Sequence, residues 1–218
     1  NGIICSHEQF VFAPEEDYDL TLELFLQTER VWFTDDPEQI QKLREVIFED
    51  GQMNKNVVGI RASEIAKMAG IEVPPSTRLI LLAADGAGTE DILAKEKLCP
   101  VIAIMRYSTF DHAVTMAKAN LLVEGAGHSA ALHSNSDHHI EKAGLELPIS
   151  RLVINQPSSL TAGGSLTNGF APTTTLGCGS WGGNSISENL DYKHLMNVSR
   201  IGKIIADKIV PTDEEIWA

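Results

Sequence analysis

Hydrophobic and polar positions along the chain fall into two textures. Up to about residue 156, short apolar runs alternate with stretches whose apolar residues recur at helical spacing; beyond it, Gly, Ser, Thr and Pro dominate. "FVFA" (10–13) predicts a strand. In residues 14–30, Pro14 and a run of acids precede Leu20, Leu24 and Phe25 at helical spacing, which predicts a helix. Residues 36–51 predict a second, with Asp36 as N-cap, Pro37 in the first helical position and Gly51 at the stop. Residues 62–70 predict a short third. The runs 78–84, 100–107, 128–134 and 151–156 are short and continuously apolar, and helical stretches at 109–123 and 136–144 separate the last three. Strands buried on both faces of a parallel sheet have that texture. The alternation predicts an α/β domain, an open three-layer αβα arrangement with a mostly parallel sheet.

The second texture begins with "PSSLTAGGSLTNGFAPTTTLGCGSWGGNS" (157–185). A stretch of that length without periodicity is expected to be a functional loop system. "LMNVSRIGKII" (195–205) predicts one more strand, on an arm reaching past the domain.

Composition narrows the function classes. The 218 residues fit one large domain, or one domain with an appendage, and 43% apolar content is enough for a core. Seventeen Lys and Arg against 30 Asp and Glu give a formal charge of −13, which speaks against nucleic acid as a partner. No apolar run approaches the roughly 18–20 residues that span a bilayer. No signal peptide is visible, although a chain that starts "NGIIC" gives that absence little weight. Cys5, Cys99 and Cys178 form neither a disulfide framework nor a zinc pattern, and reduced thiols in a cytoplasmic protein are the simpler expectation. No G-x-G-x-x-G follows a strand and no phosphate loop is present, and turns account for the glycine pairs at 86–88 and 125–127.

Three residues are candidates for chemistry, each with a plain structural alternative. Cys5 sits either near the start of a short helix running to Glu8, whose dipole would favour the thiolate, or at a buried strand end where the thiol is inert. His128 opens a strand after a Gly-rich turn, facing a cleft or satisfying a structural contact. Glu96 lies just before a strand, as a buried acceptor or a surface carboxylate. "DHHIE" (137–141) is expected to be a solvated helix start rather than a metal site, and no metal is expected.

"NGIICSHEQ", "EKLCP", "GAGHSAAL", "LVINQP" and "LGCGSWGGNSISENLDYKHL" together resemble the CoA-acylating aldehyde dehydrogenases, in the order that family has them, over residues 1 to about 200. The resemblance extends both to stand-alone enzymes acting on succinate semialdehyde and to the aldehyde dehydrogenase half of the bifunctional aldehyde–alcohol dehydrogenase. The stand-alone type is the nearer of the two. It implies Cys5 as nucleophile, Glu96 as a hydrogen-bond partner of the nicotinamide ribose, and His128 in proton transfer for the CoA thiol. NAD or NADP is then the cofactor and coenzyme A the co-substrate. The Cys5 thiolate would attack a small aldehyde, hydride transfer would leave a thioester, and CoA would release it, with the Cys5 N–H as one oxyanion donor. Ser158, Ser159 and Thr161 would line the acyl pocket.

The resemblance also implies that residues 1–196 are a catalytic domain and 197–218 an arm for homo-oligomerisation. A dinucleotide-binding domain and a second oxyanion donor would lie outside this chain, so that the chain alone is expected to be inactive. Two rivals follow. One is a phosphorylating or hydrolytic member of the same superfamily; the other is a non-enzymatic assembly fragment. A cysteine protease built on Cys5 and His128 lacks a motif for an orienting Asn or Asp.

Overall fold

A computed structural model describes all of residues 1–218. The elements run β1 (Phe10–Pro14), α1 (Tyr18–Leu26), β2 (Val31–Thr34), α2 (Pro37–Ile47), β3 (Phe48–Glu49), β4 (Gln52–Met53), α3 (Ala62–Met68), β5 (Leu79–Ala83), β6 (Val101–Tyr107), α4 (Phe110–Val123), β7 (Gly127–Leu132), α5 (Asp137–Glu146), β8 (Ile149–Ile154), α6 (Ser158–Thr161) and α7 (Asp213–Trp217). Four strands form one parallel sheet in the order β1-β6-β5-β2.

The sheet is covered on both faces because successive side chains point opposite ways. Ile80 and Leu82 of β5, with Val101 and Ala103 of β6, pack against Leu43 and Ile47 of α2 and Ile65 and Ala66 of α3. Leu81, Ile102 and Ile104 face the other way, toward Ala13 and Tyr18. Three layers result, as the alternation predicts. The strands β7 and β8 pair parallel in a separate small sheet, roofed by Val114 of α4 and Ala143 of α5 over Ile149.

Helix α2 begins as its sequence predicts: the Asp36 carboxylate accepts the Glu38 N–H at 2.9 Å, and Pro37 occupies the first turn, where its missing N–H costs nothing. It ends four residues earlier than predicted. Asp50 and Gly51 take positive φ values of 52° and 74° and turn the β3–β4 hairpin. Asp-Gly is a preferred pair for such a turn. The helix expected over 14–30 is also shorter, ending at Leu26, and Val31–Thr34 becomes the edge strand β2. A four-residue strand is too short for alternation to reveal.

The strand expected over 195–205 does not form. That segment contains no strand and is exposed, Ile201 at 90% and Ile204 at 95%. A strand needs a neighbouring edge to pair with, and this segment reaches none within the chain.

Candidate active site

The N-terminal edge of the parallel strands collects the candidate residues. Cys5 lies five residues before β1 and Glu96 five before β6, its parallel neighbour. His128 is the second residue of β7, and Arg151, the third of β8, lies in register with Ser129. A crevice of about 480 Å³ lies at the opposite edge between Tyr18, Phe33, Asp35 and Arg106, and none of the candidates lines it.

Residues 1–9 thread between two loops of the core. Gly2 has a φ of +69°, and a Cβ there would run into the Cys99 carbonyl. The Asn1 side-chain amide donates to the Gly59 carbonyl at 2.8 Å, and Gly59 N–H donates to Leu98 O at 3.0 Å. A single turn follows, closed by His7 N–H donating to Ile4 O at 3.0 Å. Ser6 is buried inside it and Cys5 is exposed on it. Neither expectation for the local structure holds: residues 1–8 form a single turn and no helix, and Cys5 is not a buried strand end. The Cys5 N–H donates to no group in the chain and is free to face a developing oxyanion.

His128 is set by its Gly-rich approach. Its own N–H donates to Gly125 O at 2.9 Å, and Gly127 N–H donates to Pro148 O at 2.7 Å. Gly127 has a φ of +82°, and a Cβ on it would collide with the Cys178 carbonyl, so the turn requires glycine. The imidazole is half-buried. Burial first, and the Arg151 charge second, push its pKa below the usual 6.5 and keep it neutral. No hydrogen bond within the chain engages its ring, leaving a nitrogen free to take a proton.

Arg151 is the centre of the cluster. It is 2% exposed and has no carboxylate partner. Burial works against its charge, and the Cys178 and Cys5 thiols lie close enough to work for it. Cys5 and His128, far apart in sequence, therefore converge on one guanidinium.

Glu96 sits apart from this pair but on the same edge. Its backbone N–H donates to Glu124 Oε2 at 2.8 Å, while its carboxylate makes no bond within the chain. Burial, and then the neighbouring Glu124 charge, raise its pKa above the usual range. A half-buried carboxylate with free lone pairs fits the acceptor role for a ribose diol. Lys97 beside it is wholly buried, donating to Leu93 O at 2.7 Å and Lys95 O at 2.9 Å. Burial lowers its pKa to about 8, which disfavours the ammonium by about 3 kcal/mol. Its N–H donates to Gln9 Oε1 at 3.1 Å, tying the Glu96 loop to the strand that follows Cys5.

The three pocket candidates share α6 but not one disposition. Ser159 N–H donates to Glu8 Oε1 at 3.3 Å, bringing α6 to the Cys5 segment. The Ser158 hydroxyl is buried with no partner. Thr161 already donates its hydroxyl proton to Pro157 O at 2.7 Å, so it has none for a substrate oxygen. His138 and His139 are on α5, where His139 stacks on Phe110 at 4.0 Å. No group of three or more His, Cys, Asp or Glu is placed to hold a metal.

Arg151, Asn189, Lys97 and Glu124 are absent from the sequence expectations. Arg151 did carry a signal. In "ISRLVI" it shares its parity with Ile149 and Val153, the buried side of the strand.

The fold matches that of part of the acetylating aldehyde dehydrogenases. The structure superposes on an acetylating aldehyde dehydrogenase from Geobacillus thermoglucosidasius with a TM-score of 0.85 at 30% identity, over 97% of this chain and 46% of that one. The sequence is similar to a succinate-semialdehyde dehydrogenase (acetylating) from Clostridium kluyveri, 54% identical over 217 residues, 100% of this chain and 48% of the relative. It is 37% identical over 207 residues to an aldehyde–alcohol dehydrogenase of Clostridium acetobutylicum, 93% of this chain and 24% of that protein. The chain is thus a homologue of the acylating aldehyde dehydrogenases throughout its length, and it spans less than half the length of these relatives. No family model matches the chain.

Proposed function

We propose that this chain carries the nucleophile-bearing half of a CoA-acylating aldehyde dehydrogenase, which converts a short aldehyde and CoA to acyl-CoA. Succinate semialdehyde is the substrate we favour, supported by the relative of that name at 54% identity. The observation that carries the reading is the convergence of the exposed Cys5 thiol and a neutral, unengaged His128 on Arg151.

The chemistry follows from those groups. Cys5 sulfur bonds to the aldehyde carbon, and the free Cys5 N–H faces the oxygen as it gains charge. NAD or NADP, when bound, supplies the hydride acceptor, and Glu96 would hold its ribose. Cys5 then carries the acyl group as a thioester. His128 takes the proton of the incoming CoA thiol, whose sulfur displaces Cys5. One thioester replaces another, so the exchange is near balance and reversible. Phosphate or water replacing CoA would define the phosphorylating or hydrolytic alternative.

In the same reading, Ser158 and Ser159 border the acyl pocket, and residues 1–196 are the catalytic unit. Residues 197–218 are an arm that pairs with another subunit in a homo-oligomer, a role supported by the exposed Val198, Ile201, Ile204, Ile205 and Ile209. The surroundings are cytoplasmic and the partners small molecules; no helix is long and apolar enough to cross a membrane. The test is kcat/KM of the holoenzyme for succinate semialdehyde against acetaldehyde, with and without CoA. The proposal expects CoA-dependent product and a preference for the longer aldehyde. Equal product without CoA overturns the acylating reading, and an acetaldehyde preference overturns the substrate.

A further inference from the structure

A buried cation without an acid is costly, since burial strips its hydration and nothing of opposite charge replaces it. Arg151 stands in that position on the inward parity of β8, where Ile149 and Val153 flank it. Four of its five donors are spent on neutral acceptors instead. They reach Ser129 Oγ at 3.0 Å, His128 O at 3.1 Å, Gly127 O at 3.4 Å and Asn189 Oδ1 at 3.4 Å. Three of those acceptors belong to the turn that presents His128.

The fourth leads elsewhere. Asn189 Nδ2 donates to Ala162 O at 3.0 Å and to Ala171 O at 2.8 Å. Through Asn189 the same guanidinium is joined to the end of α6, which carries Ser158 and Ser159, and to the loop beyond it. We infer that Arg151 is the positioning residue of the acyl-transfer step, fixing the His128 turn relative to the acyl pocket and placing a positive charge beside the reacting sulfurs. This rests on the reading of Cys5 and His128 given above and adds to it a residue that touches neither substrate nor cofactor.

Charge and fork have separable jobs. The fork sets where His128 sits. The charge adds to burial in keeping the imidazole unprotonated and therefore able to accept a proton, while favouring anionic sulfur as CoA enters and Cys5 leaves. Arg151 is the charged group acting on His128. Of the elements packed on β7, α6 holds only Ser158, Ser159, Leu160 and Thr161, and residues 180–182 are Ser, Trp and Gly; α4 and α5, which meet Ala130 and Leu132, carry Asp111, His112, Lys118, Asp137, His138, His139, Glu141, Lys142 and Glu146, none of which shifts His128. Cys178, just before that turn, is the titratable neighbour there.

The experiment compares Arg151→Lys and Arg151→Met in the holoenzyme. Three readouts are needed: the single-turnover NADH burst without CoA, CoA-dependent turnover across pH, and the His128 ring titration by NMR. Arg151→Lys keeps the charge and loses the fork. It is expected to cut CoA-dependent turnover about tenfold or more, and the burst by clearly less, with the His128 midpoint unmoved. Arg151→Met loses both, and the midpoint moves upward because a nearby cation no longer opposes protonation. Equal losses in burst and CoA step, or wild-type turnover in Arg151→Lys, overturn the inference. If Arg151→Met fails to fold, the lysine variant alone decides. Absence of CoA-dependent turnover in the wild type overturns the functional reading instead, and the His128 titration still reports the coupling.

Discussion

Two regions of this molecule are held together by different forces. Residues 10–107 are a sheet clamped between helices, with Leu43, Ile47, Ile65, Ile80, Leu81 and Leu82 all fully buried. Residues 157–196 bury little that is apolar and are stitched by asparagine side chains to backbone. Asn184 Oδ1 accepts the N–H groups of Cys178 and Gly179 at 3.2 and 2.9 Å. Asn168 Nδ2 donates to Thr161 O at 3.0 Å, and Asn189 spans two carbonyls. Apolar burial is non-directional, so it fixes a scaffold; hydrogen bonds are directional, so they fix loop shape. The proposed site sits on the seam. Cys5 and Glu96 hang from the clamped sheet, while His128, through Arg151 and Asn189, is tied to the stitched loops.

That contrast can be broken from either side. The largest effect is expected in the clamped half: Leu43→Ala should cost about 2–5 kcal/mol, read as a lower urea midpoint, because the cavity cannot collapse. Asn189→Ala should cost less, about 1–3 kcal/mol, by orphaning the Ala162 and Ala171 carbonyls. It should also lower activity more than Leu43→Ala does at a temperature where both variants stay folded. The reverse ranking in activity would remove the distinction between scaffold and loop.

Acid should act mainly at the seam. His7 and His128 both have pKa values lowered by burial, so the unfolded chain takes up protons near pH 6.5 that the folded chain resists. Their contribution to stability is therefore present above about pH 6.5 and lost as pH falls through their folded values. Glu96, with its raised pKa, works in the opposite sense, so the comparison is between the wild type and His128→Gln. The variant should lose less stability between pH 7.5 and 5.5; an identical loss would contradict the buried, neutral imidazole. The smallest effect is expected in the exposed tail. Ile204→Ser should leave the urea midpoint of the unassembled chain within about 0.5 kcal/mol of wild type while weakening self-association.

The two regions also differ in how much of each the sequence reveals. Apolar runs and caps disclose the sheet half, because burial on two faces leaves a continuous hydrophobic signature and Asp36-Pro37 marks a helix start. Short elements escaped: β2 and the β3–β4 hairpin are too brief for periodicity, although Asp50-Gly51 was a turn signal inside the predicted helix. Cys5, Glu96 and His128 were placed by motif resemblance, and their residue types alone left each with a structural alternative. Arg151 and Asn189 escaped because their hydrogen-bond partners lie far along the chain, which no local pattern encodes. The arm was expected to be a strand on the strength of its apolar residues, but a strand exists only with an edge to join.

The central claim is that Cys5 carries the acyl group, and peptide mapping by mass spectrometry tests it most directly. The holoenzyme is treated with aldehyde and nicotinamide cofactor without CoA, quenched in acid, and digested. The account predicts one acyl adduct, on the peptide bearing Cys5, that disappears on brief exposure to CoA. An adduct on Cys178 or Cys99, or acyl-CoA formation by a Cys5→Ala enzyme, would contradict it.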